Sequence, residues 1–192
     1  MRRVPRHLFV PPELIEQAYE DHPLPIGCDQ TISQPYIVAL MSDAVLAGPG
    51  RRLLDIGTGS GYQCAVLAQL GASVITVELF PHLAARAGAI LRHLHYTDAH
   101  CVIGDGSHPG FLRSRFDGIV VAAAAPEVPS SLCDLLNEGA HLVIPVGEPG
   151  LQQLMRIRRR GHRFTNEILT SCVFVPLRGA RPDDRRPSGG VS

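Results

Sequence analysis

The most restrictive feature of this sequence is the alternation of short apolar segments of β type with longer segments of helical periodicity. The predicted strands cover 52–56, 73–78, 100–103, 116–122 and 140–146. The predicted helices between them cover 61–70, 81–94 and a segment near 129–137. Strands that alternate with helices form a parallel sheet, because each helix returns the chain to the end of the sheet where it started. The expected fold class is therefore α/β, with a doubly wound, mostly parallel sheet.

The segments before this alternating region follow a different pattern. They predict a helix from Pro11–Pro12 to Asp21, an irregular polar loop over 23–34 and a helix over 35–48. Proline at the first turn and apolar residues at helical spacing support the two helices.

The segments after it predict a C-terminal antiparallel hairpin, with strands near 151–158 and 168–176 and a turn around Gly161. Beyond them, Pro, Gly, Arg and Asp are frequent, as in segments that do not fold. We expect a single domain over 1–178 and a disordered tail over 179–192.

The composition is typical of a globular protein and argues against nucleic acid, membranes and metal ions as partners. Of the 192 residues, 45% are hydrophobic, and the formal net charge is zero, so we expect binding neither to nucleic acid nor to a membrane. No apolar run is long enough to span a bilayer, and the N-terminal segment lacks the apolar core of a signal peptide. The five cysteines form no C-x-x-C pair, which predicts reduced thiols, no metal site and a cytoplasmic protein. We also expect a monomer.

The stretch LLDIGTGSGYQ, residues 53–63, predicts a strand that runs directly into a glycine-rich turn. Glycines in such a turn allow positive φ angles and leave room for a ligand close to the backbone. The dinucleotide fingerprint G-x-G-x-x-G fits only in part, because Tyr62 replaces the third glycine and Gly61 comes one residue early. This mismatch favours a nucleoside ligand without a pyrophosphate over NAD. A tight turn that holds no ligand is the alternative.

Two acidic residues extend this pattern at the ends of the next two strands. Glu78 ends the strand after the glycine turn, where a carboxylate accepts hydrogen bonds from ribose hydroxyls. Asp105 and Gly106 follow the next strand, where a carboxylate is placed to accept from an adenine amino group and a glycine leaves space for the ring. Each acid has a simpler explanation, as a strand-end charge or a turn residue. Because the carboxyl ends of parallel strands share one edge, the sites together predict a nucleoside-binding crevice.

Longer segments carry a specific resemblance. The pattern DIGTGSG, at 55–61, is similar to motif I of the S-adenosylmethionine-dependent methyltransferases. Together with VPRHLFVP, DQTISQPYI, AAAAPEVP, LVIPVG and VFVPL, it resembles the protein-L-isoaspartate (D-aspartate) O-methyltransferase family over roughly residues 3–178, in unbroken order. The resemblance implies a Rossmann-like methyltransferase fold, with S-adenosyl-L-methionine as cofactor and S-adenosyl-L-homocysteine as product. It also implies methyl transfer to the free α-carboxylate of isoaspartyl residues in damaged proteins or peptides, which is protein repair.

The resemblance also implies roles for individual residues. Ser33 corresponds to the active-site serine of the family. The expected cofactor-binding residues are Gln30, Thr31, Ile32, Ser33, Asp55, Gly57, Gly59, Ser60, Gly61, Glu78, Asp105 and Gly106. The expected peptide-binding residues carried over from the family are Ala124, Ala125, Pro126, Val128, Val175 and Leu177. Asp29, which departs from the family pattern, is also expected to lie near the peptide.

The chemistry of a carboxylate acceptor limits what Ser33 has to do. Carboxyl groups have pKa values near about 4, so the substrate is ionised at neutral pH and needs no general base. The enzyme has to align the carboxylate with the methyl group and exclude water. We expect the Ser33 hydroxyl to hold the carboxylate and not to act as a nucleophile, because no motif supplies a His or Asp partner. Ser33 is also expected to cap the helix that begins after Gln34.

Two departures from the family pattern keep other functions open. The family commonly has Gly where this chain has Asp29, and a carboxylate there would repel an anionic substrate unless it faces water or pairs with a cation. The family also commonly has further helices before the VPRHLFVP segment, so a more open substrate side or a start placed too late is expected. The alternatives are methylation of an intact aspartate in a dedicated peptide, methylation of a small-molecule carboxylate, and a catalytically silent nucleoside-binding module.

Overall fold

The computed structural model describes residues 1–179, so only Gly179 of the tail expected over 179–192 is among the described residues. The strands are β1 (Leu24–Gly27), β2 (Gln30–Ile32), β3 (Arg52–Ile56), β4 (Ser73–Glu78), β5 (Ala99–Ile103), β6 (Phe116–Val121), β7 (Leu136–Val146), β8 (Gln152–Arg160) and β9 (Arg163–Cys172). The α-helices are α1 (Pro35–Ala44), α2 (Tyr62–Gln69), α3 (Pro81–His93) and α4 (Ser130–Cys133), and the 3-10 helices are Arg6–Phe9 and Pro12–Gln17. Within this part of the chain, every helix is too short or too polar to cross a bilayer.

Seven strands form one sheet in the order β5–β4–β3–β6–β7–β8–β9. The strands from β5 to β7 pair in parallel, whereas β8 and β9 pair antiparallel to their neighbours. β3 lies between β4 and β6, and the chain moves from β3 to β4 and β5 on one side before it crosses to β6 on the other side. The strand order therefore reverses at β3, and the turn after Ile56 opens into the crevice at this switch point. The mostly parallel sheet and the C-terminal antiparallel hairpin predicted from the sequence are confirmed.

The sheet has an apolar cluster on each face. One cluster includes Met41, Leu67 and Leu83, from α1, α2 and α3. The other includes Leu132 of α4. The central strands are buried on both sides, which explains their continuous apolar runs. This two-sided burial fixes the carboxyl ends of the strands, where the site residues lie.

The segment over 23–34, expected to be an irregular loop, is a β-hairpin. β1 and β2 pair antiparallel, and Gly27 faces Gln30, so Cys28 and Asp29 form a two-residue turn. Both turn residues have positive φ angles, 54° and 55°, as a type I′ hairpin turn requires. The prediction was wrong because the strands have only four and three residues and the turn lacks the usual Asn-Gly signal.

Several element boundaries also differ from the predictions. The helix expected through Asp21 is a 3-10 helix that ends at Gln17, α1 ends at Ala44, and α4 has four residues. β7 begins at Leu136 because this residue pairs with Phe116 of β6. β9 begins at Arg163, earlier than expected, because it pairs with β8 up to the turn. The ends of these strands depend on pairing between segments that are distant in the sequence, and such pairing cannot be predicted from local composition.

The start of α1 is capped from a distance. Gln34 is the N-cap residue and makes no capping hydrogen bond with its side chain, so the expectation that Ser33 caps this helix was wrong. Asp21 takes the role instead: its Oδ1 accepts a hydrogen bond from the N–H of Tyr36 at 2.8 Å, and its Oδ2 accepts one from Nε2 of Gln34 at 3.3 Å. The carboxylate satisfies a main-chain donor that the first helical turn leaves without a partner.

Candidate active site

The glycine-rich turn after β3 lies at the switch point of the sheet. Gly57, Gly59 and Gly61 have positive φ angles of 87°, 52° and 90°, a region that residues with a Cβ rarely adopt. Space is limited as well. A Cβ on Gly59 would lie 3.3 Å from Cδ1 of Ile26, and one on Gly61 would lie 3.1 Å from Cβ of Ala87. The turn therefore requires glycine both for its own conformation and for its contacts with β1 and α3.

A cleft, which we call the switch-point cleft, opens beyond this turn. It has about 760 Å³ of empty space, part of it open to solvent. The expected cofactor-binding residues that line it are Gln30, Thr31, Ile32, Ser33, Gly57, Gly59, Ser60, Glu78 and Gly106. Asp55, Gly61 and Asp105 do not line it.

Glu78 presents its carboxylate to the switch-point cleft although the residue is only 4% exposed. Its Oε2 accepts a hydrogen bond from the N–H of Gly59 at 2.7 Å, and its Oε1 accepts one from the N–H of Phe80 at 2.9 Å. Burial raises the pKa of Glu78, and the main-chain hydrogen bonds oppose that shift. Each carboxylate oxygen has a further lone pair. A ligand with two hydroxyl groups therefore meets acceptors that are already oriented.

Asp55 is completely buried behind the turn. Its Oδ2 accepts a hydrogen bond from the Thr76 hydroxyl at 2.8 Å, and that hydroxyl lies 2.6 Å from the hydroxyl of Thr58. Burial raises the pKa of Asp55 to about 7; the Thr76 hydrogen bond lowers it, and the nearby charge of Glu78 raises it. Because Thr58 lines the cleft, this chain of hydrogen bonds connects the buried carboxyl group to the turn.

Asp105 is held within its own turn, next to the cleft residue Gly106. Its Oδ1 accepts hydrogen bonds from the N–H of Ser107 at 2.8 Å and from the Ser107 hydroxyl at 2.5 Å. Its Oδ2 lies 3.3 Å from Nδ1 of His108. A Cβ on Gly106 would clash with Cγ2 of Ile56. The absence of a side chain at Gly106 therefore lets this loop pack against the end of β3.

The β1–β2 hairpin forms one wall of the switch-point cleft. β2 supplies the lining residues Gln30–Ile32. The hairpin is held by Arg86 of α3, whose Nη1 donates to the carbonyl oxygen of Ile26 at 3.3 Å. Asp29 lies exposed in the hairpin turn and lines neither this cleft nor the cavity beside it.

A second cavity, which we call the adjoining cavity, shares a wall with the switch-point cleft. Its lining residues are Pro23, Thr31, Ser33, Gln34, Tyr36, Ile37, Ala122, Thr170, Ser171, Cys172, Val173, Phe174 and Val175. Thr31, Ser33, Ala122 and Val175 line both spaces. The Ser33 hydroxyl makes no hydrogen bond to any other residue of 1–179. It is therefore available to a ligand that reaches from the adjoining cavity into the cleft.

Residues 173–178, which follow β9 and which we call the strap, contribute to both spaces. Val175 and Leu177 line the switch-point cleft, whereas Ala124, Ala125, Pro126 and Val128 line neither space. The N–H of Ala124 donates to the carbonyl oxygen of Val175 at 2.8 Å, and the N–H of Leu177 donates to the carbonyl oxygen of Ala124 at 2.7 Å. Ala124 therefore contributes to the site indirectly, because its main chain holds the strap in place.

Several lining residues of the cleft were not among the expected site residues. They are Val38, Ile56, Thr58, Tyr62, Gln63, Val77, Leu79, Phe80, Ala122, Ala123 and Arg178. Tyr62 is fixed by the N-terminal segment: its ring packs edge-on against Phe9, with ring centroids 5.4 Å apart, and the Arg6 guanidinium lies 4.7 Å from the ring centroid. Arg6 is 1% exposed and donates from Nε to the carbonyl oxygen of Ala18 at 2.7 Å. A charged residue within an apolar segment was the available signal for this support.

Comparisons with known proteins agree with this geometry. Residues 1–181 match the family described as Protein-L-isoaspartate(D-aspartate) O-methyltransferase (PCMT). A Methanoregula boonei protein named protein-L-isoaspartate O-methyltransferase is 46% identical over 179 residues, which are 93% of this chain and 82% of the relative. A Marinobacter nauticus protein named protein-L-isoaspartate O-methyltransferase 2 is 51% identical over 181 residues, with 93% and 83% of the two chains covered.

A solved structure is also similar over most of the chain. It is a protein-L-isoaspartate O-methyltransferase from Plasmodium falciparum in complex with S-adenosyl-L-homocysteine, with a TM-score of 0.78 and 27% sequence identity. The similarity covers 91% of this chain and 86% of that one. The resemblance inferred from the motifs is confirmed. The chain belongs to the protein-L-isoaspartate (D-aspartate) O-methyltransferase family.

Proposed function

We propose that this protein transfers a methyl group from S-adenosyl-L-methionine to the free α-carboxylate of isoaspartyl residues in proteins or peptides. The main support for this proposal is that the switch-point cleft and the adjoining cavity meet at Ser33, in a chain of the isoaspartyl methyltransferase family. The switch-point cleft has the glycine turn and the oriented carboxylate that suit a nucleoside. The adjoining cavity, with the exposed Tyr36 and the extended segment 170–175 in its wall, suits a peptide.

The residues of the switch-point cleft fit S-adenosylmethionine. The carboxylate of Glu78, oriented by two main-chain N–H groups, is the acceptor for the ribose hydroxyls. Gly57, Gly59 and Ser60 give a ligand access to the backbone of the turn. When bound, S-adenosylmethionine supplies an electrophilic methyl group, and the remainder leaves as S-adenosylhomocysteine.

Further residues are assigned to this cofactor by their position. Asp55 and Gly61 support the turn from behind the cleft. Asp105 and Gly106 form the loop after β5, where we place the adenine. The β2 residues Gln30–Ile32 close the same cleft from the opposite wall.

We assign Ser33 as the catalytic residue that holds the substrate carboxylate. No acid, histidine or other residue of 1–179 hydrogen-bonds the Ser33 hydroxyl, so nothing in this part of the chain activates it as a nucleophile. A hydroxyl donor orients an ionised carboxylate without taking a proton from it. The walls shared by the two spaces exclude water from the carboxylate as it approaches the methyl group.

The strap and the segment 124–128 are assigned to frame the peptide. Val175 lies in the shared wall and Leu177 in the wall of the cleft. Asp29 lies in an exposed turn, where water and salt screen its charge. An acidic residue in the path of the substrate would have favoured a dedicated peptide as substrate. The exposed position of Asp29 therefore favours isoaspartyl peptides, the repair substrate, instead.

Several broader features belong to the same proposal. We propose one catalytic domain over 1–178, which acts as a monomer in the cytoplasm and does not bind nucleic acid. The five free cysteines and the zero net charge support it.

Labelled methyl transfer to two peptides that differ only in an aspartyl or isoaspartyl linkage tests the proposal. We expect label on the isoaspartyl peptide alone, in a base-labile ester. Label on the aspartyl peptide alone would identify the activity toward an intact aspartate. Binding of S-adenosylmethionine without label on either peptide would identify a silent nucleoside-binding module.

A further inference from the structure

The side chain of Gln152 binds the strap although it lines neither of the two spaces. Gln152 is the first residue of β8 and is 4% exposed. Its Oε1 accepts a hydrogen bond from the main-chain N–H of Phe174 at 2.6 Å, and its Nε2 donates to the carbonyl oxygen of Phe174 at 3.2 Å. A single carboxamide therefore satisfies both main-chain polar groups of Phe174.

This arrangement extends the β8–β9 ladder beyond its end. Gln152 faces Cys172, where β9 ends, and Phe174 lies two residues further along the chain. A carboxamide carries an acceptor and donors in one plane, as a peptide group does. The Gln152 side chain therefore takes the place of the strand residue that Phe174 lacks as a partner. Main-chain groups left without such a partner in a partly buried position are unfavourable.

The strap that Gln152 holds forms the wall between the two spaces. Phe174 and Val175 line the adjoining cavity, and Val175, Leu177 and Arg178 line the switch-point cleft. Among the described residues, the other main-chain hydrogen bonds of the strap join it to Ala124. The wall is thus attached at two places, the Gln152 side chain and the Ala124 backbone.

We propose that Gln152 is a positioning residue for methyl transfer, which fixes the strap so that the substrate carboxylate reaches the cleft at Ser33. The inference rests on the function proposed above. Gln152 touches neither space, so it is not a catalytic residue. Glu78 and the glycine turn belong to β4 and β3 and do not depend on the strap for their position. Loss of Gln152 should therefore affect the peptide more than the cofactor.

The first test compares Gln152→Leu with the matched control Gln153→Leu. Gln153 is the next residue, is exposed, and makes no side-chain hydrogen bond within residues 1–179. For Gln152→Leu we expect the KM for an isoaspartyl peptide to rise by about ten-fold or more, and the Kd of S-adenosylmethionine to stay within about two-fold. Hydrogen exchange of the amides of 173–178, measured without cofactor, should become faster. The control should match the wild-type protein in all three measurements.

The second test uses Gln152→Glu, because protonation changes what this side chain can bind. A neutral carboxyl group has an acceptor and an O–H donor and can make both hydrogen bonds to Phe174, whereas a carboxylate can only accept. We expect the peptide KM and the amide exchange of this variant to approach wild-type values as the pH falls from about 8 to about 5.5, since burial raises the pKa of a carboxyl group. Gln153→Glu should show no such recovery.

These measurements separate a positioning role from a structural one. The inference is overturned if Gln152→Leu keeps the wild-type KM and exchange rates, if it loses only thermal stability, or if Gln152→Glu is as impaired at low pH as at high pH. A wild-type protein that methylates no isoaspartyl peptide contradicts the proposed function instead. In that case, exchange of the strap amides still decides whether Gln152 holds the strap.

Discussion

At the scale of single residues, the site is a set of polar side chains with separate partners. Glu78 is bound by the main chain, Asp55 by a threonine hydroxyl, and Ser33 by no residue of 1–179. These differences predict different consequences when each side chain is replaced.

Replacement of Glu78 should weaken cofactor binding. In Glu78→Ala the acceptors proposed for the ribose hydroxyls are lost, and we expect affinity for S-adenosylmethionine to fall by about 1–3 kcal/mol, measured by titration calorimetry. Glu13→Ala, at an exposed position of the second 3-10 helix, is the control and should bind as the wild-type protein does. Equal affinities for both variants would remove Glu78 from the cofactor site.

Replacement of Ser33 should reduce turnover and leave cofactor binding nearly intact. The hydroxyl is assigned to the substrate carboxylate, so Ser33→Ala should lower kcat/KM for an isoaspartyl peptide by about 5–150-fold, equivalent to about 1–3 kcal/mol. Ser73→Ala, at the exposed start of β4, serves as control. Because no general base is involved, wild-type activity should persist below neutral pH until the substrate carboxylate is protonated, near about pH 4. A rate that rises steeply near about pH 7 contradicts this role.

The buried Asp55 should make stability depend on pH. Its pKa is about 7 in the folded chain and 3.8 in the absence of the fold. Between these values the folded state binds more protons than the unfolded state, so the free energy of unfolding falls as the pH rises and levels off above the folded pKa. Urea unfolding at about pH 5 and about pH 8 should show a decrease about 1–3 kcal/mol larger for the wild-type protein than for Asp55→Asn. Equal decreases would mean that Asp55 does not titrate in this range.

At the scale of elements, contacts from distant segments position α1 and the hairpin beside the site. The Asp21 carboxylate binds the first turn of α1, just after Ser33 and Gln34. Arg86 of α3 holds β1 through the carbonyl oxygen of Ile26. The segment that carries Ser33 is therefore fixed at both ends by side chains outside it.

Loss of the Asp21 cap should destabilise the protein. In Asp21→Ala the N–H of Tyr36 loses its acceptor, and we expect the free energy of unfolding to fall by about 1 kcal/mol, as for other N-cap replacements. Asp21→Asn retains an acceptor oxygen and should lose less. Urea unfolding curves measure both values. If the two variants are equally stable, the carboxylate does not cap α1.

At the scale of the whole molecule, the sequence predicts what depends on local pattern. The strands β3, β4 and β6 and the glycine turn could be predicted, because continuous apolar runs and glycines report burial and backbone conformation directly. The hairpin at Cys28 and Asp29 could not, since its turn has no standard residue pair. The contacts of Gln152 with Phe174 and of Arg6 with Tyr62 join residues far apart in the chain. Such contacts exist only once the chain is folded, so the pattern around either residue does not predict which partner it will have.

Methyl transfer by this protein is expected to lead to repair of isoaspartyl linkages. The main-chain nitrogen that follows attacks the ester formed at the isoaspartyl α-carboxylate and releases methanol, which closes a succinimide. Water then opens the succinimide partly to normal aspartate. The direct measurement is the fraction of isoaspartyl and aspartyl forms of one peptide, separated by chromatography, during long incubation with protein and S-adenosylmethionine. We predict that the isoaspartyl form declines while the aspartyl form accumulates, and that Ser33→Ala slows this conversion. An unchanged isoaspartyl fraction, with methyl ester forming on the aspartyl peptide, would contradict the repair function.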